Sequence, residues 1–260
     1  MRNILLYISY DGTDFCGWQK QLKHKNGVVV STVRTVQEEI EKVLTKIHKQ
    51  PIEIQGSGRT DSGVHAKAQA ANFFSPIDTI SIKNYISALN SLLPKDIRVM
   101  DVEEKNQDFN ARFSAVSRTY KYFMHCGNPL ATDMRYVWPI HHYPNVEVLN
   151  QMASCLRGEI DCTTFASVRD QSLSKHRYLY NAKFYMEGEK LVFEIKANAF
   201  LWKMVRSITG SLIYFEQKGY DAAYFEHILK SQNRLNAGPT APSTGLFLWN
   251  IDYTGERIHP

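Results

Sequence analysis

The chain has 260 residues, a mass of 29.9 kDa, 43% hydrophobic and 22% charged residues, and a net charge of +5 with a pI of about 8.9. That composition suits a folded chain with a real core, either one large domain or two of about 130 residues, and it excludes a disordered polyelectrolyte. No stretch reaches the roughly 18 uninterrupted apolar residues of a membrane span, and the four scattered cysteines (Cys16, Cys126, Cys155, Cys162) form no C-x-x-C pair, which excludes a disulfide scaffold and argues against structural zinc. With an N-terminus that runs into a strand pattern instead of a signal-peptide core, a cytoplasmic protein is expected. The positive charge permits an anionic partner without demonstrating one.

In chain order, Asn3-Ile4-Leu5-Leu6-Tyr7-Ile8-Ser9-Tyr10 is apolar and β-rich and stops at the turn signal Asp11-Gly12, which predicts a strand. After a polar loop, Thr35-Val36-Gln37-Glu38 is a capping box, and Val36, Ile40, Val43, Leu44 and Ile47 fall on one helical face, so a helix follows and ends before Pro51. Strands are predicted at 52–55 and 68–74, a helix through Ile82, Tyr85, Ile86, Leu89, Leu92 and Leu93, and a strand at 97–102. The order is βαββαβ.

The second half repeats it with longer connections: a strand at 118–125, a helix around 146–156, strands at 179–186 and 191–197, a helix from Phe200 and a last strand at 246–253. This grammar predicts an α+β fold of two ferredoxin-like (split βαβ) halves with largely antiparallel sheets, residues 1–106 and 107–260, divided in the polar run around Asn106. Two such units would leave a cleft between them.

Between the strands predicted at 52–55 and 68–74 lies Gly56-Ser57-Gly58-Arg59-Thr60-Asp61-Ser62-Gly63, with three glycines and three hydroxyl residues around one arginine and one carboxylate. Such a loop bends sharply and admits a ligand close to its backbone. Three readings stay open on composition alone. A phosphate cradle lacks the G-x-x-x-x-G-K-[ST] pattern and the following helix. An aspartic-protease loop needs a second carboxylate copy, and the chain has none. A tight hairpin with no chemistry is the third.

Other segments join this one in order and spacing: Tyr10-Asp11-Gly12-Thr13-Asp14-Phe15-Cys16-Gly17-Trp18-Gln19, Phe109-Asn110-Ala111-Arg112-Phe113-Ser114-Ala115, Ser117-Arg118-Thr119-Tyr120-Lys121-Tyr122, Phe200-Leu201-Trp202-Lys203-Met204-Val205-Arg206 and Ala237-Gly238-Pro239-Thr240-Ala241-Pro242. With Gly58-Arg59-Thr60-Asp61-Ser62-Gly63-Val64-His65-Ala66, the set resembles the tRNA pseudouridine synthase A family over essentially the whole chain. Cys16 and Ser62 depart from the family pattern beside the key residues without replacing any of them.

The resemblance implies an isomerase that converts uridine to pseudouridine at positions 38, 39 and 40 of the tRNA anticodon arm. It implies no metal and no organic cofactor, and a homodimer in which one tRNA contacts both subunits, around a basic cleft between pseudo-twofold-related halves. Asp61 matches the family nucleophile, a carboxylate ionised at neutral pH and able to form a covalent intermediate, on C6 of the base or C1′ of the ribose. Burial alone would discharge such an aspartate, so a cation is required nearby, and Arg206 matches the family's basic partner. Tyr120 matches its active-site tyrosine, whose ring stacks on the uracil and whose hydroxyl assists removal of the C5 proton. A stem uridine must be extruded first, and Arg59 is the family-matched residue to hold the flipped strand.

Between Phe109 and Thr132 the bases Arg112, Arg118 and Lys121 stand among Phe113, Tyr120, Tyr122 and Phe123 with no acid, and residues 195–215 hold Lys196, Lys203 and Arg206 in a similar stretch. Basic charge beside stacking faces suits RNA. Arg59, Arg112, Phe113 and Arg118 are therefore the expected RNA contacts. His65 is left out of the catalytic set, because a histidine at a loop–strand junction is more often a hydrogen-bonded structural residue. Rival readings are a catalytically silent RNA-binding protein or tRNA chaperone using the same cleft, and an aspartyl hydrolase.

Overall fold

A computed structural model describes residues 1–25 and 28–258, with the side chains of all of these except 22–25 and 28–32. The described residues form a mixed α+β structure with five α-helices and mostly antiparallel pairing. The chain divides into two compact units, Met1–Ala115 with Leu248–Tyr253, and Val116–Phe247 with Thr254–Pro260. The boundary expected at Asn106 lies at the end of a strand inside the first unit, and the loop that follows belongs to that unit as well.

In the first unit, β1 (Arg2–Tyr10) runs between β5 (His65–Ser75) and β6 (Ile97–Lys105), antiparallel to both. A strand flanked on both edges and covered on both faces reads as a continuous apolar run, and Ile4, Leu5, Leu6 and Ile8 are all fully buried. The two-residue β4 (Gln55–Gly56) pairs with β5 at Asn72 and Ala71. Numbered within the βαββαβ motif, the strand order is 4-1-3-2, the split βαβ arrangement.

The helix expected after Thr35 is α1 (Val36–His48). The Thr35 side chain accepts from the Glu38 amide, Val36, Ile40, Val43 and Leu44 are buried, and Lys49 ends the helix in the left-handed region. Buried Glu41 on this helix is neutralised and satisfied by Lys20 Nζ at 2.8 Å, Gln37 Nε2 at 2.9 Å and the Ile54 amide at 3.1 Å, as a buried charge requires. α2 (Ile82–Leu92), capped by Ser81, packs on β6.

In the stretch before Thr35, expected as a polar loop, the backbone forms a small antiparallel pair, β2 (Leu22–Lys25) and β3 (Val28–Thr32). Three consecutive valines supply the β preference, but the run is too short and its neighbours too basic for alternation to reveal it.

In the second unit, β7 (Ser117–Cys126) pairs with β11 (Lys190–Ala197), β11 with β10 (His176–Glu187), and β10 with β9 (Gly158–Asp161), all antiparallel, while the three-residue β8 (Trp138–Ile140) runs parallel to β7. α3 (Val146–Ser154) packs on β10, and α4 (Met204–Gln217) is buried along most of its length. Tyr122, Phe193, Phe165 and Phe225 anchor this core, each contributing about 1.5–3 kcal/mol by leaving water.

The helix expected from Phe200 starts at Met204, because Lys203 takes a left-handed φ of +61° and breaks helical continuity. β8, β9 and the nine-residue α5 (Ala222–Lys230) are too short for local periodicity to mark them. The final strand, β12 (Leu246–Asp252), leaves the second unit after Phe247 and gives its remaining residues to the first.

Candidate active site

The glycine-rich loop of the first unit is held by the segment that follows β1. Trp18 N donates to Thr60 O at 3.2 Å, Gly63 N and the Ser62 hydroxyl both donate to Phe15 O, and the Tyr10 hydroxyl meets Thr60 Oγ1 at 2.8 Å. The contact is so close that it dictates residue type. Gly17 sits at φ +92°, where a Cβ would lie 2.6 Å from Thr60 O, and a Cβ on Gly12 would lie 2.0 Å from Val64 O. Two sequence motifs whose touching residues stand 42 to 52 positions apart are therefore one structural object.

From the other side, Ser57 N donates to Ala70 O at 2.8 Å, and Gln69 pairs with both polar groups of Gly58. Asp61 then sits half-buried at a turn closed by Val64 N on its own carbonyl at 3.2 Å. Arg59, two residues earlier, is exposed. The loop thus presents one carboxylate and one guanidinium from a backbone pinned on both sides.

His65 closes the loop as a structural residue. Its Nδ1 accepts from Gly12 N at 3.0 Å. A ring nitrogen that accepts there carries no proton, so its 3.2 Å approach to Asp11 Oδ1 is no ion pair.

Arg112 and Phe113 stand in the same unit on a turn built by Asn110, whose Oδ1 accepts from both of their amides at 2.9 and 3.2 Å. Asn110 also donates to Gln55 Oε1, and Ala111 N donates to Asn72 Oδ1 at 2.8 Å. The Arg112 guanidinium carbon lies 5.4 Å from the Phe113 ring centroid, and the ring is 65% exposed. An exposed aromatic face beside a cation is a stacking platform for an unpaired base.

Tyr120 and Arg206 lie in the second unit. Tyr120, on β7 opposite Ile195, is buried, and its ring meets Phe200 edge to face at 5.1 Å. Arg206, in the first turn of α4, donates from Nε to Ala241 O at 2.8 Å, while Ala241 N donates to Arg206 O at 3.1 Å. That reciprocal pair ties the Gly238-Pro239-Thr240-Ala241-Pro242 segment to the helix and fixes the plane of the guanidinium. Tyr122 sits close by: burial pushes its phenol far above the usual range, Arg206's charge pulls the other way, and its hydroxyl donates to Pro242 O.

Two expected contributors to a basic RNA surface are placed otherwise. Arg118 is 7% exposed and donates from Nη1 to Asn198 O at 2.8 Å, so its guanidinium holds the interior instead of facing a phosphate. Lys121 faces Glu194 at 3.5 Å and Glu187 at 3.9 Å across the sheet, so a stretch free of acids in sequence is not free of them in space.

Sequence reasoning missed Tyr10 and Gln69 as supports of the loop. Gln69 carried a signal: it is a lone amide in the otherwise apolar run Ala68-Gln69-Ala70-Ala71, and it is fully buried. Among the described residues no group of His, Cys, Asp and Glu could hold a metal ion, and no helix is long and apolar enough to cross a membrane. The cysteines are all free thiols, and burial pushes Cys162 up to about 12.

A family model described as tRNA pseudouridine synthase matches residues 6–114 and 152–254. Curated relatives called tRNA pseudouridine synthase A include one from Treponema denticola, 57% identical over 258 residues, covering 99% of this chain and 95% of that one. Another, from Treponema pallidum, is 50% identical over 240 residues, covering 92% and 84%. A third, from Borrelia duttonii, is 42% identical over 259 residues, covering 97% and 100%.

Proposed function

We propose that Asp61 is the nucleophile of this chain, which belongs to the tRNA pseudouridine synthase A family and isomerises uridine to pseudouridine in tRNA. The target positions in this reading are 38, 39 and 40 of the anticodon arm. The observation that carries the assignment is the clamp on the 56–65 loop: backbone bonds, the Tyr10–Thr60 pair and the Gln69–Gly58 pair all converge on a loop whose half-buried side chain is Asp61. So much support for one turn is what a preorganised catalytic group needs.

The reaction breaks the N1–C1′ bond, rotates the uracil and rejoins it through C5. Asp61 supplies the electron pair to C6 of the base or C1′ of the ribose. Arg206 is the basic partner of that carboxylate. The Tyr120 ring stacks on the uracil, and its hydroxyl assists loss of the C5 proton. Arg59 holds the strand from which the base has been extruded, and Arg112 and Phe113 add a phosphate contact and a stacking face.

In this reading the first unit carries the aspartate loop and the second unit carries the tyrosine and the arginine. The enzyme works in the cytoplasm as a homodimer and uses no metal. Isomerisation is redox-neutral and leaves the atom count of the base unchanged, which fits a site of one carboxylate, one phenol and guanidinium groups. A silent RNA-binding protein would have no use for a carboxylate in a groove that receives phosphates.

Incubation with unmodified tRNA transcript followed by mapping of pseudouridine tests the proposal. Pseudouridine at 38–40 is expected; modification confined to other positions would overturn the anticodon-arm assignment.

A further inference from the structure

The second unit contains a cavity of about 480 Å³ that the mechanism above does not use, a size within the range of small-ligand sites. It opens at the start of α4 and is lined by Arg169, Trp202, Lys203, Ser207, Arg234 and Thr240, with no carboxylate among its lining residues. The nearest acid by sequence, Asp170, is not among them, and its carboxylate is already satisfied by Lys175 Nζ at 2.6 Å and the Trp202 and Ser172 amides at 2.7 and 2.9 Å.

Three features converge on an anion. No side chain caps α4 and no acidic residue occupies its first turn; the Asp170 carboxylate reaches only the Trp202 amide, one residue before the cap, and leaves the amides of the first turn uncapped by any side chain. Arg169 and Lys203 are exposed cations at its mouth, and Arg234 is oriented by donating to Thr240 Oγ1 at 2.8 Å. Ser207, one turn into the helix, is 1% exposed, and its hydroxyl has no hydrogen-bond partner among the described residues. A buried hydroxyl left unpaired costs free energy, and native proteins keep few of them. Beside the cations, the Trp202 ring is 42% exposed, with Lys203 Nζ 5.6 Å from its centroid.

We propose that this cavity is a subsite for a backbone phosphate of the substrate RNA, bound by Arg169, Lys203 and the Ser207 hydroxyl, with the flanking base stacked on Trp202. It rests on the reading of the chain as a tRNA-modifying enzyme. RNA is favoured because the cavity joins an anion site to an aromatic face, the two features of an unstacked nucleotide.

Dissociation constants for unmodified tRNA, measured from 50 to 200 mM salt, test it on Arg169→Gln, Lys203→Asn and Ser207→Ala; asparagine tolerates the left-handed backbone at 203. Each charge removal is expected to weaken binding about tenfold or more and to flatten the slope of log K against log salt by roughly 0.7–0.9. Ser207→Ala is expected to weaken it about two- to tenfold while the urea midpoint of the free protein stays or rises, because a structural hydroxyl would lower that midpoint on removal. Wild-type affinity and slope in all three variants would overturn the subsite. So would stabilisation of the wild type, but not of Arg169→Gln, by inorganic phosphate together with unchanged tRNA affinity, which would assign the cavity to a free anion. Pseudouridine formation by the wild type is scored in parallel. Its absence would sink the functional reading, while the affinities still decide the cavity.

Discussion

Gln69 and Gly58 are joined through the glutamine side chain as two strands are joined through their backbones: Nε2 donates to Gly58 O at 2.8 Å and Oε1 accepts from Gly58 N at 3.3 Å. Oε1 also accepts from Ala70 N at 3.1 Å. Gln69→Glu keeps the shape but cannot donate to Gly58 O, and it brings an ionisable carboxyl to a fully buried position. The variant is expected to lose about 2–4 kcal/mol of stability at neutral pH, with part recovered in acid as the carboxyl protonates. Urea unfolding at pH 7 and pH 5 checks this; equal stability of variant and wild type at pH 7 would mean the pair does not hold the loop.

Asp61→Asn is expected to abolish pseudouridine formation while leaving tRNA binding within a few fold, since the amide keeps the side chain's shape but is no nucleophile. Turnover by a sequence-verified Asp61→Asn protein would remove Asp61 from the mechanism.

Tyr120→Phe keeps the ring against Phe200 and deletes only the hydroxyl. Single-turnover rates at saturating tRNA are expected to fall about 10²–10⁴-fold, the usual range for proton-transfer assistance. An unchanged rate would leave Tyr120 as a stacking residue alone.

Arg59 separates base extrusion from chemistry. Its side chain is exposed, so Arg59→Ala should fold normally and still bind tRNA. Loss of about 3 kcal/mol of support for the extruded state predicts roughly hundredfold slower turnover. A mismatched target uridine is cheaper to extrude and should show a smaller defect. An equal defect on paired and mismatched anticodon arms would assign Arg59 to the chemical step.

Asp170 links the 167–172 segment to the start of α4. Burial works to raise its carboxyl, but the bonds from Lys175 and the Trp202 and Ser172 amides outweigh it and hold the group well below the usual carboxylate range. A carboxyl depressed in the folded state adds stability above its unfolded value of about 3.9 and loses it as pH falls through the folded value. Asp170→Asn should therefore be about 1–3 kcal/mol less stable at pH 7, with the difference shrinking below about pH 4. Parallel unfolding curves at pH 7 and pH 3 test this; a constant difference would rule out the charge as its source.

What the sequence made legible was whatever repeats along one element. The apolar run of β1, the capped face of α1 and the βαββαβ order all follow from local periodicity. The Asp61 loop was legible as a motif, but its support was not: Tyr10 reaches Thr60 and Gln69 reaches Gly58 across the sheet. Arg118 shows the opposite failure, since its charge suggested a surface whereas the fold gave its guanidinium to Asn198 O. Lys121 failed likewise, because its acidic partners come from β11 and, beyond it, β10. Lys203 stopped a helix that periodicity extended to Phe200, by a backbone angle that composition does not encode.

The last strand closes the first unit. Residues 248–253 belong with residues 1–115; Trp249 takes Lys67 Nζ over its ring at 4.2 Å, and the Tyr253 hydroxyl donates to Ala111 O at 3.0 Å. Synthesis of the 133 residues from 115 to 248 takes roughly 7–27 seconds at about 5–20 residues per second. β12 pairs with β5, and throughout that interval the edge of β5 that it will occupy is bare, an invitation to wrong partners on a crowded ribosome. The nascent chain thus carries its aspartate loop long before the sheet beneath that loop is whole, and the enzyme matures from its end backwards.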